Sequence, residues 1–347
     1  MIAYRHHGRI VLDVPAQALL HFRVMTDSRL GGRRFLGTAV ATMATATLGS
    51  AGCAAPDPTR VVGPVAQAVD AGAAGTDLRQ TLRDLESSYN GRIGAVGIDL
   101  GTGKTVGYRA GERFPFNSSF KVFACSAVLH KARTSSPGLM DKVLRWTPGD
   151  MAELTGNSPE TTEYTDTGMT PAQLCRAGIT KSDGFAGNML VRQIGGPSGL
   201  TRYFRSTGDQ VSRLDRPEPY LTQWQPGDTR DTTTPEAAAR TFAQLTTGTA
   251  LHPKDRARLV GWLKGNRTGA NRIRAGLPTD WTIGDKTGTG GATNHGTAND
   301  IAIVWPSGSN APIILSVFTN RNIDNTPHDD KVIASAATAL AKALGRL

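Results

Sequence analysis

The order of segments along the chain predicts an α+β fold: an antiparallel sheet of about five strands, built from both ends of the chain, with an all-helical lobe inserted between them. Two strand-like runs come early, three more come after residue 281, and the long stretch between them carries helical spacing almost throughout. Helical segments also flank the strands at both ends, which suits a sheet covered on one face.

Taken in order, Asp77 is placed to cap a first helix, since Leu78, Leu82, Leu85 and Tyr89 recur along one face after it. A strand at 93–100, a Gly101-Thr102-Gly103 turn and a second strand at 105–109 read as a hairpin. Phe120, Phe123, Ala124, Ala127 and Val128 fall at i, i+3, i+4, i+7 and i+8, the pattern of a buried helix. Further helices are expected at 171–179, 184–195, 235–246 and 254–264. Strands return at 281–287, 300–305 and 312–319, and Val332, Ile333, Ala336, Ala337, Leu340 and Leu344 space out a closing helix. The α/β lobe is therefore expected to comprise 76–116 and 266–347, and the helical lobe 117–265. Chemistry is expected in the cleft where they meet.

Ahead of this body, 1–53 reads as an export leader. Arg33-Arg34-Phe35-Leu36 precedes a mildly apolar Ala/Thr-rich run that ends in Ser50-Ala51-Gly52-Cys53, and Met25 is a better start than Met1, which would leave 1–24 untranslated. Cys53 is a candidate lipid anchor, with ordinary cleavage nearby as the alternative. The Ala-, Pro-, Gly- and Asp-rich stretch 54–75 suits a flexible tether.

Composition excludes several classes. The 347 residues are 39% hydrophobic and 20% charged, which is globular rather than disordered. Part of the net charge of +10 lies in residues 1–53, and the basic residues beyond them are dispersed with no nucleic-acid-binding signature, so no nucleic-acid partner is expected. There is no Cys-x-x-Cys pair or His-rich cluster of zinc-site spacing, so no metal or cofactor is expected. With Cys53 in the leader, Cys125 and Cys175 remain as an even pair in an exported chain, for which a disulfide is the natural reading.

The first chemical motif is Ser118-Ser119-Phe120-Lys121, opening the buried helix. Ser118 and Lys121 lie one turn apart on one face. A serine hydroxyl needs a base before it attacks, and a desolvated lysine beside a helix N-terminus helps to provide one. Alone this spacing is common. It is joined in order by Ser182-Asp183-Gly184 and by Lys286-Thr287-Gly288-Thr289-Gly290 on a late strand.

Together these three motifs resemble those of the active-site serine penicillin-recognising enzymes. Arg213-Leu214-Asp215-Arg216-Pro217-Glu218-Pro219 resembles the Ω-loop (213–231) of the class A β-lactamases, and the resemblance runs from about Asp77 to the end. It implies the β-lactamase/transpeptidase-like fold and hydrolysis of small-molecule β-lactams by a monomer, which β-lactam inhibitors would also bind. Ser118 would be the nucleophile, Lys121 or Glu218 its base, Ser182 a proton relay and Glu218 the group that activates water. The backbone amides of Ser118 and Thr289 would form the oxyanion hole. Lys286, Thr287, Gly288 and Thr289 would hold the substrate carboxylate, with Arg272 reaching in. The resemblance also implies a Cys125–Cys175 disulfide and an Arg216–Asp231 salt bridge bracing the loop.

Some positions depart from that pattern. Gly184 stands where an Asn commonly holds the substrate's acylamino group. Thr222 stands where an Asn commonly helps hold the hydrolytic water. Asn157 replaces an aromatic residue at the cleft gate, which predicts a wider, more polar mouth, and His295 is expected on an exposed loop. Two rival readings share the serine motifs: a D,D-peptidase, which has no use for Glu218, and a non-catalytic sensor lipoprotein.

Overall fold

The computed structural model describes residues 73–152 and 157–347, so the leader and most of the tether, Cys53 included, lie outside the described residues. Helix α1 spans Ala73–Tyr89, strand β1 Gly91–Asp99 and β2 Thr105–Tyr108. Asp77 lies inside α1 and does not cap it; the Ala- and Gly-rich residues ahead of it continue the helix. A two-residue strand β3, Phe114–Pro115, leads into a 3₁₀ turn at Asn117–Ser119 and helix α2, Phe120–Thr134. The lobe continues through α3 (Pro171–Thr180), α4 (Gly184–Gln193), α5 (Gly196–Ser206), the two-residue strand β4 (Thr232–Thr233), α6 (Pro235–Thr246) and α7 (Pro253–Lys264). The chain closes with β5 (Thr282–Gly291), β6 (Thr297–Trp305), β7 (Ile313–Arg321) and α8 (Asp330–Leu344).

The five long strands form one antiparallel sheet in the order β2-β1-β7-β6-β5, so the expected α+β architecture is present. The pairing of Gly91 with Arg321 and of Asp99 with Ile313 ties the two ends of the chain together. The inserted lobe is helical apart from β4, which pairs with β3. Helix α5 is the one long element that spacing did not suggest.

Both faces of the sheet are buried, and side-chain alternation divides the core in two. Ile301, Ile303, Ile314 and Phe318 face the helical lobe, with Phe120, Phe123, Phe185 and Phe242. Ala302, Val304, Leu315 and Val317 face α1 and α8, where Leu78, Leu82, Ile333, Ala337 and Leu340 meet them. Helix α2 is the hub of the lobe: every residue from Phe120 to Leu129 is buried, so its apolar face has become an all-round core. Cys125 on α2 and Cys175 on α3 form the expected disulfide.

Candidate active site

Local backbone conformation aims the reactive groups. The 3₁₀ turn holding Ser118 sits between β3 and α2, so Ser118 precedes the α-helix rather than opening it. Behind this turn Phe116 stacks on Phe204 at 5.5 Å between ring centroids, and Phe123 lies 5.7 Å from Phe116, which fixes the turn on a rigid aromatic base. Asn117 (φ 44°) and Ser182 (φ 58°) are both left-handed, a conformation that costs a non-glycine residue of order 1 kcal/mol or more and clusters at functional sites. At Ser182 it turns both the carbonyl and the hydroxyl toward the cleft lysines.

The side chains of Ser118, Lys121, Ser182, Glu218 and Lys286 converge. Lys121 Nζ donates to Ser118 Oγ at 2.7 Å and to the Ser182 carbonyl at 2.7 Å, and pairs with Glu218 Oε1 at 2.7 Å. Ser118 Oγ in turn donates to the same Glu218 oxygen at 3.1 Å. Lys121 is fully buried and Glu218 is 4% exposed, so the pair is desolvated and persists because both charges are hydrogen-bonded. Lys286, also fully buried, donates to Ser182 Oγ at 3.0 Å and to the Thr287 carbonyl at 2.6 Å. Burial first, and the nearby charge of Lys121 second, push its pKa well below the usual lysine range.

Strand β5 forms the opposite wall. As the edge strand of the sheet it leaves half of its peptide groups free of strand partners. It closes onto the serine turn at Gly288, where a Cβ would stand 2.6 Å from the Phe116 carbonyl and 2.5 Å from Asn299 Oδ1, so a glycine is required for the approach. Thr287 is buried and hydrogen-bonded to Thr268, while Thr289 is exposed in the cleft.

Arg272 departs from expectation. It is 4% exposed and approaches β5 from behind, donating to the Gly288 and Asn299 carbonyls and to Thr289 Oγ1 while pairing with Asp330 at 2.7 Å. Its guanidinium holds the strand and orients the Thr289 hydroxyl instead of reaching into the cleft itself.

The loop that carries Glu218 is braced at its base. Asp231, fully buried, accepts from the backbone of Asp215 and Arg216 and from Arg216 Nε at 2.6 Å, and Arg216 also donates to the Gln223 carbonyl. Burial raises the Asp231 pKa despite these bonds, so desolvation outweighs them. Thr222 donates its hydroxyl back to the Pro219 carbonyl, which leaves its lone pairs as the side chain's remaining capacity toward water. Gly184 and the exposed Asn157 lie together on the far side of Glu218.

Several positioning residues escaped the sequence reading. Asn188 on α4 clamps Glu218 from both sides, donating to its carbonyl and accepting from its amide at 2.9 Å each. A buried polar residue in the otherwise apolar Gly184–Val191 segment was the available signal. On Gly187 a Cβ would meet Lys121 Cε at 2.8 Å, so the absence of a side chain there makes room for the lysine. Asp183 caps α4 while accepting from the Glu160 and Thr161 backbone. His295, expected on an exposed loop, is 8% exposed: its ring bonds Gln225, its backbone amide donates to Asp324 and Trp224 packs edge-on against it. Three connections at the cleft rim meet there, which buries the ring. No cluster of metal-ligating side chains occurs among the described residues.

Comparison with known proteins agrees with this geometry. A family model described as the Beta-lactamase enzyme family matches residues 77–344. The carbapenem-hydrolyzing β-lactamase KPC of Klebsiella oxytoca is 46% identical over 261 residues, covering 75% of this chain and 87% of that protein. The β-lactamase AST-1 of Nocardia asteroides is 42% identical over 324 residues, covering 93% of this chain and 99% of that protein. A crystal structure of a β-lactamase from Streptosporangium roseum superposes with a TM-score of 0.76 at 56% identity, covering 78% of this chain and all of that one. With its five-stranded sheet, inserted helical lobe and serine–lysine–glutamate cluster, the chain belongs to the β-lactamase enzyme family, as a class A serine β-lactamase.

Proposed function

We propose that the protein hydrolyses the amide bond of penicillins and cephalosporins through an acyl-enzyme on Ser118, and so confers resistance to them. The observation that carries this reading is the shared contact of Ser118 Oγ and Lys121 Nζ with one oxygen of Glu218. Because Lys121 already donates its protons to Ser118, Ser182 and Glu218, the carboxylate is the group free to take the serine proton. Ser118 Oγ forms a bond to the lactam carbonyl carbon, and the backbone amides of Ser118 and Thr289 hold the developing oxyanion, each donor worth about 3 kcal/mol. As the ring C–N bond breaks, Ser182, held by Lys286, passes its proton to the departing nitrogen and is reprotonated, by way of Lys121, with the proton that Glu218 took from Ser118, so that Glu218 is a carboxylate again. Glu218 then removes a proton from water, whose oxygen attacks the ester, and Ser118 leaves with that proton restored.

Lys286 and the Thr289 hydroxyl receive the substrate carboxylate, Thr289 being oriented by Arg272. Glu218 distinguishes this reading from a D,D-peptidase, which would stay acylated. The intact cluster weighs against a non-catalytic sensor. Export is proposed as well: the Arg33-Arg34 leader motivates it, and the Cys125–Cys175 disulfide suits an oxidising compartment.

Nitrocefin hydrolysis tests the reading. Purified protein should turn over many equivalents, and Ser118→Ala should lose that turnover together with any penicillin adduct. A single stoichiometric burst would favour the peptidase, no signal the sensor, and hydrolysis persisting in Ser118→Ala would overturn the nucleophile.

A further inference from the structure

Asn299 is a polar residue on an apolar face. Its side chain lies on the side of β6 that carries Ile301 and Ile303 into the lobe core, and it is 1% exposed. Its Nδ2 donates to the carbonyls of Pro115 at 3.0 Å and of Phe116 at 2.8 Å, the two residues that lead into the turn holding Ser118. Two facing carbonyls leave the amide no other orientation. Its Oδ1 is buried without a hydrogen-bond partner among the described residues and lies against Gly288, where a Cβ would stand 2.5 Å from it. Gly288 is also the residue that pairs with Asn299 across β5 and β6, and Arg272 donates to the carbonyls of both at 2.8 Å, which holds the strand pair at that level. The amide is therefore wedged between the serine turn and β5. An unpaired buried oxygen lowers stability, so packing alone does not account for an asparagine at this place.

We propose that Asn299 is a positioning residue for the oxyanion hole, setting the distance between the Ser118 amide on the turn and the Thr289 amide on β5. The inference rests on the acyl-enzyme reading above. The two donors lie on segments distant in the chain, and one oxygen accepts from both only if each stands about 2.7–3.1 Å from it. The Phe116 carbonyl belongs to the peptide that enters Asn117, whose left-handed φ of 44° needs support from its surroundings. The other bonds to that carbonyl, from the Ser119 amide at 3.2 Å and the Ser119 hydroxyl at 2.7 Å, are internal to the turn and do not fix it relative to the sheet. The Asn299 amide does, from the β6 residue that faces Gly288, next to Thr289. A second tie, Asn117 Nδ2 to Thr297 Oγ1 at 3.1 Å, anchors the turn at the start of β6 and leaves the stretch ahead of Asn117 to Asn299.

The test reads the hole itself, through the ester carbonyl of the acyl-enzyme that benzylpenicillin forms in a Glu218→Ala background. Hydrogen bonds to that carbonyl lower its infrared stretching frequency, so adding Asn299→Ala should move the band to higher frequency. In otherwise native protein Asn299→Ala should lower kcat/KM about 10-fold, less than the loss of a whole donor, and by a similar factor for benzylpenicillin and nitrocefin. Asn299→Asp keeps the shape and, held protonated by burial against two carbonyls, one donor, so its band and rate should fall between the two. Bands unmoved in both variants overturn the proposal, and so does a rate loss matched by the loss of folded protein in a thermal melt. Should Asn299→Ala fail to fold, the Asn299→Asp band decides alone. Intact-mass detection of an adduct on Ser118 in Glu218→Ala separates the two levels. With the adduct present and the band unmoved, only the role of Asn299 fails. With no adduct, the acyl-enzyme reading fails too.

Discussion

Lys286 is fully buried, and its lowered pKa has a kinetic consequence. A neutral amine binds a carboxylate poorly, so KM for a penicillin should rise as pH climbs through the lowered pKa, well short of the ordinary lysine value of 10.5. Measured pH profiles of kcat and KM check this. In Lys286→Arg, where the charge does not titrate, the alkaline rise in KM should disappear even though activity is lower. A wild-type KM that stays flat up to about pH 10 would contradict the assignment. At this scale the sequence was most legible where short motifs carry the chemistry: Ser118 and Lys121, Ser182, Lys286 and Glu218 all meet within one cluster. It was least legible where depth decides the role. Spacing does not reveal that Arg272 lies behind β5, that the His295 ring is enclosed, or that Asn188 holds Glu218, because each depends on segments distant in sequence.

Among the elements, the loop 213–231 needs its brace most. Asp231 is fully buried, and Arg216 is its only side-chain cation partner among the described residues. Removing the guanidinium leaves a buried carboxylate with backbone donors alone, a loss of about 3–5 kcal/mol for a broken buried pair. Arg216→Ala should therefore lower stability by about that amount in denaturant unfolding, and it should slow both acylation and deacylation, since the loop carries Glu218, which serves both steps. Equal stability of the two proteins would show that the loop is held by other contacts. Helix α5 shows why one element was missed. It opens on Gly195-Gly196-Pro197, which reads as a turn, and its buried side is the narrow set Leu200, Tyr203 and Phe204. Strands β3 and β4, two residues each, are too short to leave any alternation. The remaining strands and helices were legible because their apolar periods match the two faces of the sheet.

At the largest scale the described residues join two cores across the five-stranded sheet, and the active site sits where the helical lobe meets the edge strand β5. Cys125 and Cys175 staple α2 to α3 inside the lobe core, both fully buried and 50 residues apart. Closing a loop of that length stabilises a domain by roughly 2–4 kcal/mol, chiefly through the unfolded state. A Cys125→Ser/Cys175→Ser protein should melt several degrees lower while retaining its kcat at low temperature, which calorimetry and a nitrocefin assay would show. A large loss of kcat with an unchanged melting temperature would mean that the disulfide shapes the site directly.

The central claim, one carboxylate serving both the serine and the water, is tested most directly by intact-mass spectrometry of Glu218→Ala after a pulse of benzylpenicillin. The account predicts slow formation of a one-to-one adduct that maps to Ser118 and persists while wild-type protein returns to its free mass. An adduct on another residue, or a Glu218→Ala protein that clears its adduct as fast as wild type, would contradict it.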